Sequence, residues 1–543
     1  MKKKFLYLFL FPFFFLIISN DNCDVTSHSY FWVRAPYQVG SPEFIAHSKY
    51  QHRQTRKSPH HFSIQATLFG GESIKPHKIG KFFMPFGSSQ AAVNGNLSES
   101  DNALFPQNFN IPSVRFSPMV NAMLLSIDNL TEAYQSTIQV NPKQSIIGLG
   151  LSYEHLFCIC DREYWLNLSA PILHVRNTMG LQETQPTGGL YDVPPITGEQ
   201  TNLNNLQTTM MQALSQSGWQ FGKIDDNTHY KTRLAFIQLY GGATFLEEHC
   251  YELKPYVGII IPTGNTPKAE FVFEPIAGNG NHFGFLWGSA TELFLWHNCD
   301  HSLEFSYGLD ITMQYLLSKT QKRSLDLKNK PWSRYIELYA NPAQSQQASN
   351  LQVGGLSLSA IFLNTPGINI LTQDVVVKPG FNIALNTALM LTQYCGENGF
   401  NVEAGYNFYA KQAECLNLKR RFETEAAIKD HVGSGLTNPV RDITNNLLLN
   451  EASFANLVLN GNLNTTGILN SYDRAIIQET DLDLSSAAHP CILSHTVYGM
   501  IGYHWDESCY PVITSIGGSY EFPSKNNTAL NRWLLWGKFG ISF

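Results

Sequence analysis

The side chains with the most potential for chemistry are charged and amide groups at every second position of apolar stretches. In the stretch 400 to 411, Asn401, Glu403 and Asn407 alternate with apolar residues such as Val402 and Phe408. Because successive side chains of a β-strand point to opposite faces, each stretch is expected to carry its polar groups on one face. If these faces share a lumen, its predicted lining comprises Glu154, Glu292, Glu304, Asp310, Lys378, Asn382, Glu403, Asn407 and Glu521, with Lys411 and Lys538.

A set of charged groups around a pore biases the pore toward ions of the opposite sign. Carboxylates outnumber lysines in the predicted lining, so the sequence predicts a mild preference for cations. The alternative is that these charges pair across the lumen and only solvate it.

Local motifs for catalysis are missing from the sequence. It has no nucleophile-elbow glycine pattern, no H-E-x-x-H and no phosphate-binding glycine loop. The neighbours Asp300 and His301 would point to opposite faces of a strand. We therefore expect no enzymatic activity, no cofactor and no metal, with a barrel enzyme assembled from distant strands as the less favoured alternative.

The nine cysteines lie mostly beside predicted short turns. Cys415 and Cys491 instead bracket the longest predicted loop, where a disulfide would close the base of the loop in an oxidising compartment. Unpaired cysteines at strand ends are the alternative, because connectivity cannot be read from spacing. The sequence contains no C-x-x-C pair, which argues against a zinc site.

Long strands must position the predicted lining. Residues 302 to 317 alternate over a length that exceeds the roughly 9 to 11 residues needed to cross a bilayer at a tilt. Residues 374 to 394 and 509 to 522 alternate in the same way. A soluble β-sandwich would share this alternation, with its apolar faces packed against each other, so the period alone does not decide between the two folds.

Two patterns favour a membrane barrel over a sandwich. The connections alternate between short turns and long loops, the longest at 182–227 and 413–489, as periplasmic turns and external loops do. Aromatic residues gather near predicted strand ends, as in the girdles at membrane interfaces. These aromatic residues include Trp165, Trp296, Trp332, Tyr335, Trp505 and Tyr510.

The beginning of the chain and its composition predict export. Lys2 to Lys4, the apolar run Phe5 to Ile18 and a polar break fit a signal peptide over residues 1–22. No later stretch approaches the roughly 18 apolar residues of a transmembrane helix. Only 15% of the residues are charged and the net charge is -6, without a basic stripe, so nucleic acid is not an expected partner.

The final strand gives the most specific resemblance. Trp533, Leu535, Gly537, Phe539 and Ile541 alternate with other residues up to the C-terminal Phe543. This ending resembles the assembly signal of bacterial outer-membrane β-barrels. The resemblance implies a Gram-negative type of cell, outer-membrane lipid around the barrel and the barrel-assembly machinery as a partner through Phe543.

Counting the strands predicts an all-β transmembrane antiparallel barrel of 14 strands, with 16 as the alternative, at residues 61–543. The first strand is predicted at His61 to Gly70, and Val114 to Ile127 is a further candidate. The remaining strands are predicted near 144–157, 163–181, 228–246, 251–262, 283–297, 301–318, 332–341, 351–362, 374–394, 399–412, 490–505, 509–522 and 530–543.

A barrel of 14 strands with surplus residues at 23–60 resembles the outer-membrane transporters for fatty acids and aromatic hydrocarbons. That resemblance implies an N-terminal plug, and it assigns no binding residue because no diagnostic motif is present. Short helices are expected in the long loops at Leu203 to Leu214, Glu423 to His431 and Asp442 to Leu459. These loops could constrict the lumen, cap it or act as a receptor surface.

The sequence therefore predicts an outer-membrane channel or transporter for the passive passage of small solutes, hydrophilic or hydrophobic. A surface receptor or adhesin is the alternative. The sequence predicts neither the solute nor the oligomeric state.

Overall fold

The computed structural model describes residues 27–94, 135–160, 162–187, 209–248, 251–300, 302–328, 331–335, 337–339, 352–353, 356–357, 364–428, 441–442, 447–448, 477–524 and 529–543. The predicted signal peptide, 1–22, lies outside these residues. None of the helices described has the length and apolar character needed to cross a membrane.

Twelve antiparallel strands form a closed barrel. Each strand pairs with its neighbours in sequence, and the last pairs with the first, so that Ser542 lies opposite Ser63. The strands, β1 to β12, are Phe62–Ile74, Lys143–Ile159, Arg162–Thr178, the interrupted strand Thr228–Leu234, Phe236–Ala243 and Leu246–Glu248, then Tyr251–Pro262, Gly284–His297, Leu303–Leu316, Gly380–Cys395, Asn398–Lys411, Ile492–Trp505, Val512–Pro523 and Asn531–Ser542.

The apolar faces of these strands point outward. On β1, Leu68 is 62% exposed whereas its neighbour Thr67 is fully buried. On β11 and β12, Ile516 and Leu535 are likewise exposed. An apolar outer surface around a polar interior is the pattern of a transmembrane barrel. The alternative of a sandwich is wrong, because the apolar faces are not packed against one another.

Several inward-facing aromatic rings lie flat over a glycine of the neighbouring strand. Tyr256 on β5 lies over Gly288 on β6, and Tyr498 on β10 lies over Gly405 on β9. A β-carbon at either glycine would overlap the ring. The glycines therefore let large rings lie along the wall, which leaves room in the lumen.

The expected number of 14 strands, and the alternative of 16, are wrong. Ser333–Tyr335 forms a 3-10 helix and Glu337–Tyr339 pairs with Asn364–Pro366, so the predicted strand 332–341 is not part of the barrel. Of the predicted strand 351–362 the structure describes only 352–353 and 356–357, and these residues pair with each other in a hairpin outside the barrel. Val114 to Ile127 lies outside the described residues.

The predicted strand 374–394 is broken in two. Gly380 has a φ of 77°, a conformation that glycine adopts without strain, and it separates β8 from the strand Thr372–Lys378. The latter strand pairs with Lys319–Ser324 and Cys415–Leu418 in a second sheet. The side chains of the strand Thr372–Lys378 therefore have different surroundings from the side chains of β8, although the two strands are consecutive in sequence.

The long connections build a packed region at one end of the barrel, which we call the cap. Besides the second sheet it contains the three-stranded sheet Gln90–Asn94, Gln135–Gln139 and Gln182–Thr187, and pairs such as Asp326–Leu327 with Leu482–Asp483. Two apolar clusters hold it together, one around Trp219, Trp332 and Tyr335 and one around Leu338 and Leu371. Trp332 and Tyr335 are thus core residues of the cap rather than members of an interfacial girdle.

The described residues contain five short α-helices. They are α1 (Pro42–Ile45), α2 (Ser48–Lys57), α3 (Pro76–Phe83), α4 (Met210–Leu214) and α5 (Gly367–Leu371). Residues 203–208 of the predicted helix Leu203 to Leu214 lie outside the described residues. The predicted helix Glu423 to His431 is wrong where it is described, because Ala427–Ile428 is a strand paired with Leu338 and Tyr339. Asp442 belongs to a strand paired with Leu447–Leu448, and most of the predicted helix Asp442 to Leu459 is not described.

Candidate functional site

Residues 27 to 58, which we call the lumen segment, run inside the ring of strands from the cap to the short turns. Ser27 hydrogen bonds to Asp326 in the cap. Further along, Arg34 contacts Asn407 on β9, and Lys57 pairs with Asp506 in the turn after β10. The three contacts of the lumen segment thus lie one after another along the barrel axis, from the cap to the short turns. The chain then turns at residues 58 to 61 and enters β1 at the short-turn end.

The upper part of the lumen segment is tied to the cap. The hydroxyl of Ser29 donates to the carbonyl of Ser324, and the guanidinium of Arg323 lies 3.1 Å from the centre of the Tyr30 ring. Arg323 also pairs with Glu414 at 3.4 Å, with both side chains buried. Removing one partner of a buried ion pair leaves the other charge buried without compensation, which is strongly destabilising. Arg323 is therefore held in place, and its contact with Tyr30 holds the lumen segment against the cap.

The middle of the lumen segment is held by inward-facing amides. Arg34 donates to Asn407 at 2.7 Å and to the carbonyl of Gly40 at 2.9 Å. That carbonyl also accepts from the side chains of Asn386 and Asn407. On the opposite wall, the backbone N–H of Val39 donates to Gln238. These contacts give the guanidinium of Arg34, the carbonyl of Gly40 and the N–H of Val39 partners in the interior of the barrel, as buried polar groups require.

Helix α2 is basic on one face. Its sequence contains no acidic residue, and its cationic and imidazole groups follow the helical spacing i, i+3, i+4, i+7 and i+8. Arg56 and Lys57 stand in the last turn, where positive charge interacts favourably with the helix dipole. The groups on this face are Lys49, His52, Arg53, Arg56 and Lys57.

The wall opposite this face carries five glutamates near the short turns, which we call the acidic ring. They come from β2, β3, β5, β6 and β7. Its members are Glu154, Glu163, Glu252, Glu292 and Glu304.

Every member of the acidic ring contacts α2. Lys49 pairs with Glu292 and, at 3.2 Å, with Glu304. Arg53 also pairs with Glu304 at 3.2 Å.

His52 and Arg56 contact the other side of the ring. His52 lies 3.2 Å from Glu154, and Arg56 donates to Glu163 and to Glu252. These side chains are between about one tenth and one quarter exposed, so water screens the pairs only in part. The helix and the ring are complementary in charge around the circumference of the lumen.

The structure places most of the predicted lining residues in the lumen. Glu154, Glu292 and Glu304 belong to the acidic ring, and Asn407 contacts Arg34 as described. Glu403 accepts hydrogen bonds from the backbone N–H of His47 at 3.1 Å and from Tyr498 at 3.0 Å.

The remaining lining residues in the lumen lie outside the acidic ring. Glu521 pairs with Arg532 at 2.6 Å, Asp310 accepts from Thr312 at 2.9 Å, and Asn382 is buried. Lys411 lies over the Trp32 ring, and Lys538 donates to the carbonyls of Phe44 and Ala46.

Lys378 is not in the lumen, and its assignment to the lining was wrong. It is exposed at the end of the strand Thr372–Lys378, opposite Cys415 in the second sheet. The alternation of apolar and polar residues continues across the break at Gly380. The sequence pattern therefore did not indicate that the chain changes sheet there.

Two ring members, Glu163 and Glu252, were missing from the predicted lining. Each stands at or next to the first residue of its strand, beside a short turn. The sequence did contain an indication of their position. Glu163 stands two residues before inward-facing Trp165, and Glu252 stands two residues before inward-facing Lys254, so each glutamate faces the same side of its strand. Trp165 itself is buried in the lumen rather than exposed at a membrane interface, whereas Trp296 and Trp505 are exposed as expected.

The disulfide between Cys415 and Cys491 stays a prediction. Cys415 is exposed and belongs to the second sheet, whereas Cys491 precedes β10. In the part of the chain that the structure describes, no group of three or more His, Cys, Asp or Glu side chains is arranged to hold a metal ion.

No protein-family model matches this chain, and no curated protein matches its sequence. Solved structures do resemble it. An outer-membrane channel from Pseudomonas putida F1 is 6% identical with a TM-score of 0.33, and the match covers 88% of this chain and 95% of that chain. The β domain of the Bordetella autotransporter Brka is 6% identical with a TM-score of 0.29, covering 89% and 99%.

The transport unit of the autotransporter AIDA-I from Escherichia coli is 8% identical with a TM-score of 0.29, covering 89% of this chain and 90% of that chain. The barrel of the present chain is established by its own closed strand pairing. The solved structures that this chain resembles are outer-membrane β-barrels, and the chain itself is a closed β-barrel of 12 strands.

Proposed function

We propose that this chain is an outer-membrane channel for small solutes and that its lumen segment closes the channel as an internal plug. The observation that carries the proposal is the match between the basic face of α2 and the acidic ring. The pore is filled at the short-turn end by a helix held through ion pairs, which can be exchanged for water and salt when the helix moves.

The outward apolar face and the predicted signal peptide support the proposed placement in the outer membrane. Side chains such as Leu68, Ile516 and Leu535 would be unfavourable in water and favourable against lipid. The ending at Phe543 supports recognition by the assembly machinery. Short turns would then face the periplasm and the cap would face the exterior.

Displacement of α2 would leave the acidic ring without its cations. Uncompensated carboxylates around a pore favour cations, so the open channel is expected to be cation-selective. In the closed state the same carboxylates serve as the seat of the plug. The same site would thus select ions in the open state and pair with α2 in the closed state.

The test is the single-channel conductance of purified protein in planar bilayers. The double variant Arg53→Glu and Arg56→Glu replaces two attractions with repulsions and is expected to raise the open fraction several-fold. Reversal potentials of its open state in a salt gradient should indicate cation preference. Lys143→Gln is the matched control, because Lys143 pairs with Glu72 away from α2 and is about half exposed.

The proposal fails if wild type and the double variant conduct alike while both are folded, or if the open state shows no preference between cation and anion. Retention of the compact barrel in unheated SDS gels provides the check of folding.

A further inference from the structure

A cavity of about 160 Å³, which we call the chamber, lies between α2 and the lumen wall. It has room for on the order of ten water molecules or one small ligand. Its floor is formed by Phe44, Ser48 and Lys49 of the lumen segment, and its wall by strands from β2 to β10. The contacts between the lumen segment and the lumen wall do not account for this space.

One wall of the chamber is aromatic. Trp165, Tyr240 and Tyr256 pack around each other with ring centres 5.5 to 5.9 Å apart. Tyr498 lines the chamber from the other side, held against Gly405. The faces of such rings attract cations, most strongly where water is excluded.

The charges that line the chamber do not balance. Lys49 and His52 are taken up by the acidic ring, and Lys254 pairs with Glu252 at 2.7 Å. Glu403, which also lines the chamber, forms no ion pair either, but it accepts from the backbone N–H of His47 and from Tyr498. Asp310 is the lining carboxylate that has neither an ion pair nor a backbone donor. Within the described chain its side chain accepts only from the hydroxyls of Thr312, at 2.9 Å, and Tyr256, at 3.4 Å, and it forms no ion pair.

Trp165, which lines the chamber, also carries a buried hydrogen-bond donor that lacks a partner. The indole N–H of Trp165, a residue that is 7% exposed, meets no acceptor among the described residues. A buried donor without an acceptor is costly, which favours a ligand that supplies an oxygen. The chamber thus combines an unpaired carboxylate, aromatic faces and a free N–H donor.

We propose that the chamber binds a small organic ammonium ion that also carries an oxygen acceptor, such as an amino alcohol. The ammonium group lies against Asp310 and the ring faces, and the oxygen accepts from Trp165. A hard metal cation is a poorer match, since it requires several oxygen ligands where Trp165 and Tyr240 present rings. As a substrate assignment this rests on the proposed channel, because the ligand reaches the chamber through the pore.

The experiment is calorimetric titration of the purified protein in detergent at about pH 8, where carboxyl groups are normally ionised. Choline is the probe, and 3,3-dimethyl-1-butanol is its neutral isostere. Choline is expected to bind about tenfold more tightly than the isostere, or better. Asp310→Asn should weaken choline binding to a similar degree while leaving the isostere unaffected.

Trp165→Phe tests the second contact, because it keeps a ring and removes the N–H. It should weaken choline binding but not that of tetramethylammonium, which carries no oxygen. The matched control is Glu397→Gln, which removes an exposed carboxylate in the turn between β8 and β9 and should leave both affinities unchanged.

The inference is overturned if wild type binds neither ammonium probe, if the neutral isostere binds as tightly as choline, or if folded Asp310→Asn binds choline normally. Should Asp310→Asn fail to fold, the comparison of choline with its isostere on wild type still decides. Because binding is measured without a membrane, an empty chamber leaves the conductance experiment intact, and a barrel that does not conduct leaves the titration intact.

Discussion

The guanidinium of Arg56 and the carboxylate of Glu163 form a two-point hydrogen-bonded pair, with Nε 2.6 Å from Oε2 and Nη2 2.7 Å from Oε1. The same Nη2 lies 2.8 Å from Glu252, so one residue of α2 joins β3 to β5. Thr244, in the interruption of β4 between Ala243 and Leu246, also donates to Glu163 at 2.8 Å. The last turn of the helix is therefore fastened to three adjacent strands at a single point.

This geometry predicts that charge alone does not replace Arg56. Arg56→Lys keeps the positive charge but loses the planar two-point contact, and Arg56→Gln loses both. We expect the open fraction in planar bilayers to rise in the order wild type, Arg56→Lys, Arg56→Gln. Equal open fractions for the lysine and glutamine variants would show that the two-point geometry is irrelevant. Lys143→Gln serves again as the control.

The ring of Tyr498 over Gly405 predicts a specific loss of stability. In Gly405→Val the new side chain would occupy the place of the ring, and the hydrogen bond from Tyr498 to Glu403 would be lost. Overpacking of this kind typically costs about 1–3 kcal/mol. The measurement is the free energy of unfolding in urea. Gly537→Val is the control, because a β-carbon at Gly537 meets no atom within 4 Å, and a comparable loss there would refute the explanation.

The buried His282 predicts a dependence of stability on pH. Burial lowers the pKa of His282 to about 4, and its neutral ring lies 2.7 Å from the carbonyl of Leu317 and 2.9 Å from the side chain of Gln321. Between about pH 6.5 and 4 the unfolded chain therefore binds more protons than the folded one. The stabilisation is complete above about pH 6.5 and is lost toward pH 4 at up to about 1.4 kcal/mol per pH unit.

The measurement is the thermal midpoint of wild type and His282→Gln across this range. The variant should show a shallower fall with decreasing pH, whereas His60→Gln, which changes an exposed residue, should behave as wild type. Parallel curves for wild type and His282→Gln would contradict the assignment of the effect to His282.

The path of the lumen segment predicts opposite sides for its two ends. Ser27 lies at the cap and residue 58 at the short turns, so an epitope inserted after Val25 should be displayed on the side of the cap. We expect antibody to label it on intact cells, whereas an epitope inserted after Ser508, in the turn between β10 and β11, should be labelled only after permeabilisation. Labelling of both epitopes, or only of the second, on intact cells would exclude this path.

Much of the barrel could be predicted from the sequence because each strand must expose apolar groups on one face and polar groups on the other. Period two therefore located β2, β5 and β9 to within a few residues. It failed at 332–341, where Trp332, Tyr335 and Leu338 pack in the cap instead of facing outward, and at 351–362, whose described residues form only a hairpin outside the barrel. The alternation of apolar and polar residues indicates that one face of a strand is buried, but it does not indicate which sheet the strand joins.

The site was predicted only in part for a related reason. Glu154, Glu292 and Glu304 were found through their phase within strands, whereas the partners on α2 were not. Lys49, Arg53 and Arg56 have the spacing of a helical face, but a short polar helix has no apolar stripe by which to recognise it. The resemblance to 14-stranded transporters lost its basis in strand number, and the chamber depends on side chains from distant strands that no local pattern connects.

The pairing of Ser63 with Ser542 has a consequence for the biogenesis of the protein. The sheet cannot seal until its last strand has arrived, and by then the residues ahead of β1 must already lie along the axis. If the lumen segment entered a barrel that had already closed, Arg34 and Trp32 would have to move through an interior that fits them closely. The protein is thus expected to fold around its own leading residues, which act as a core for the curling sheet.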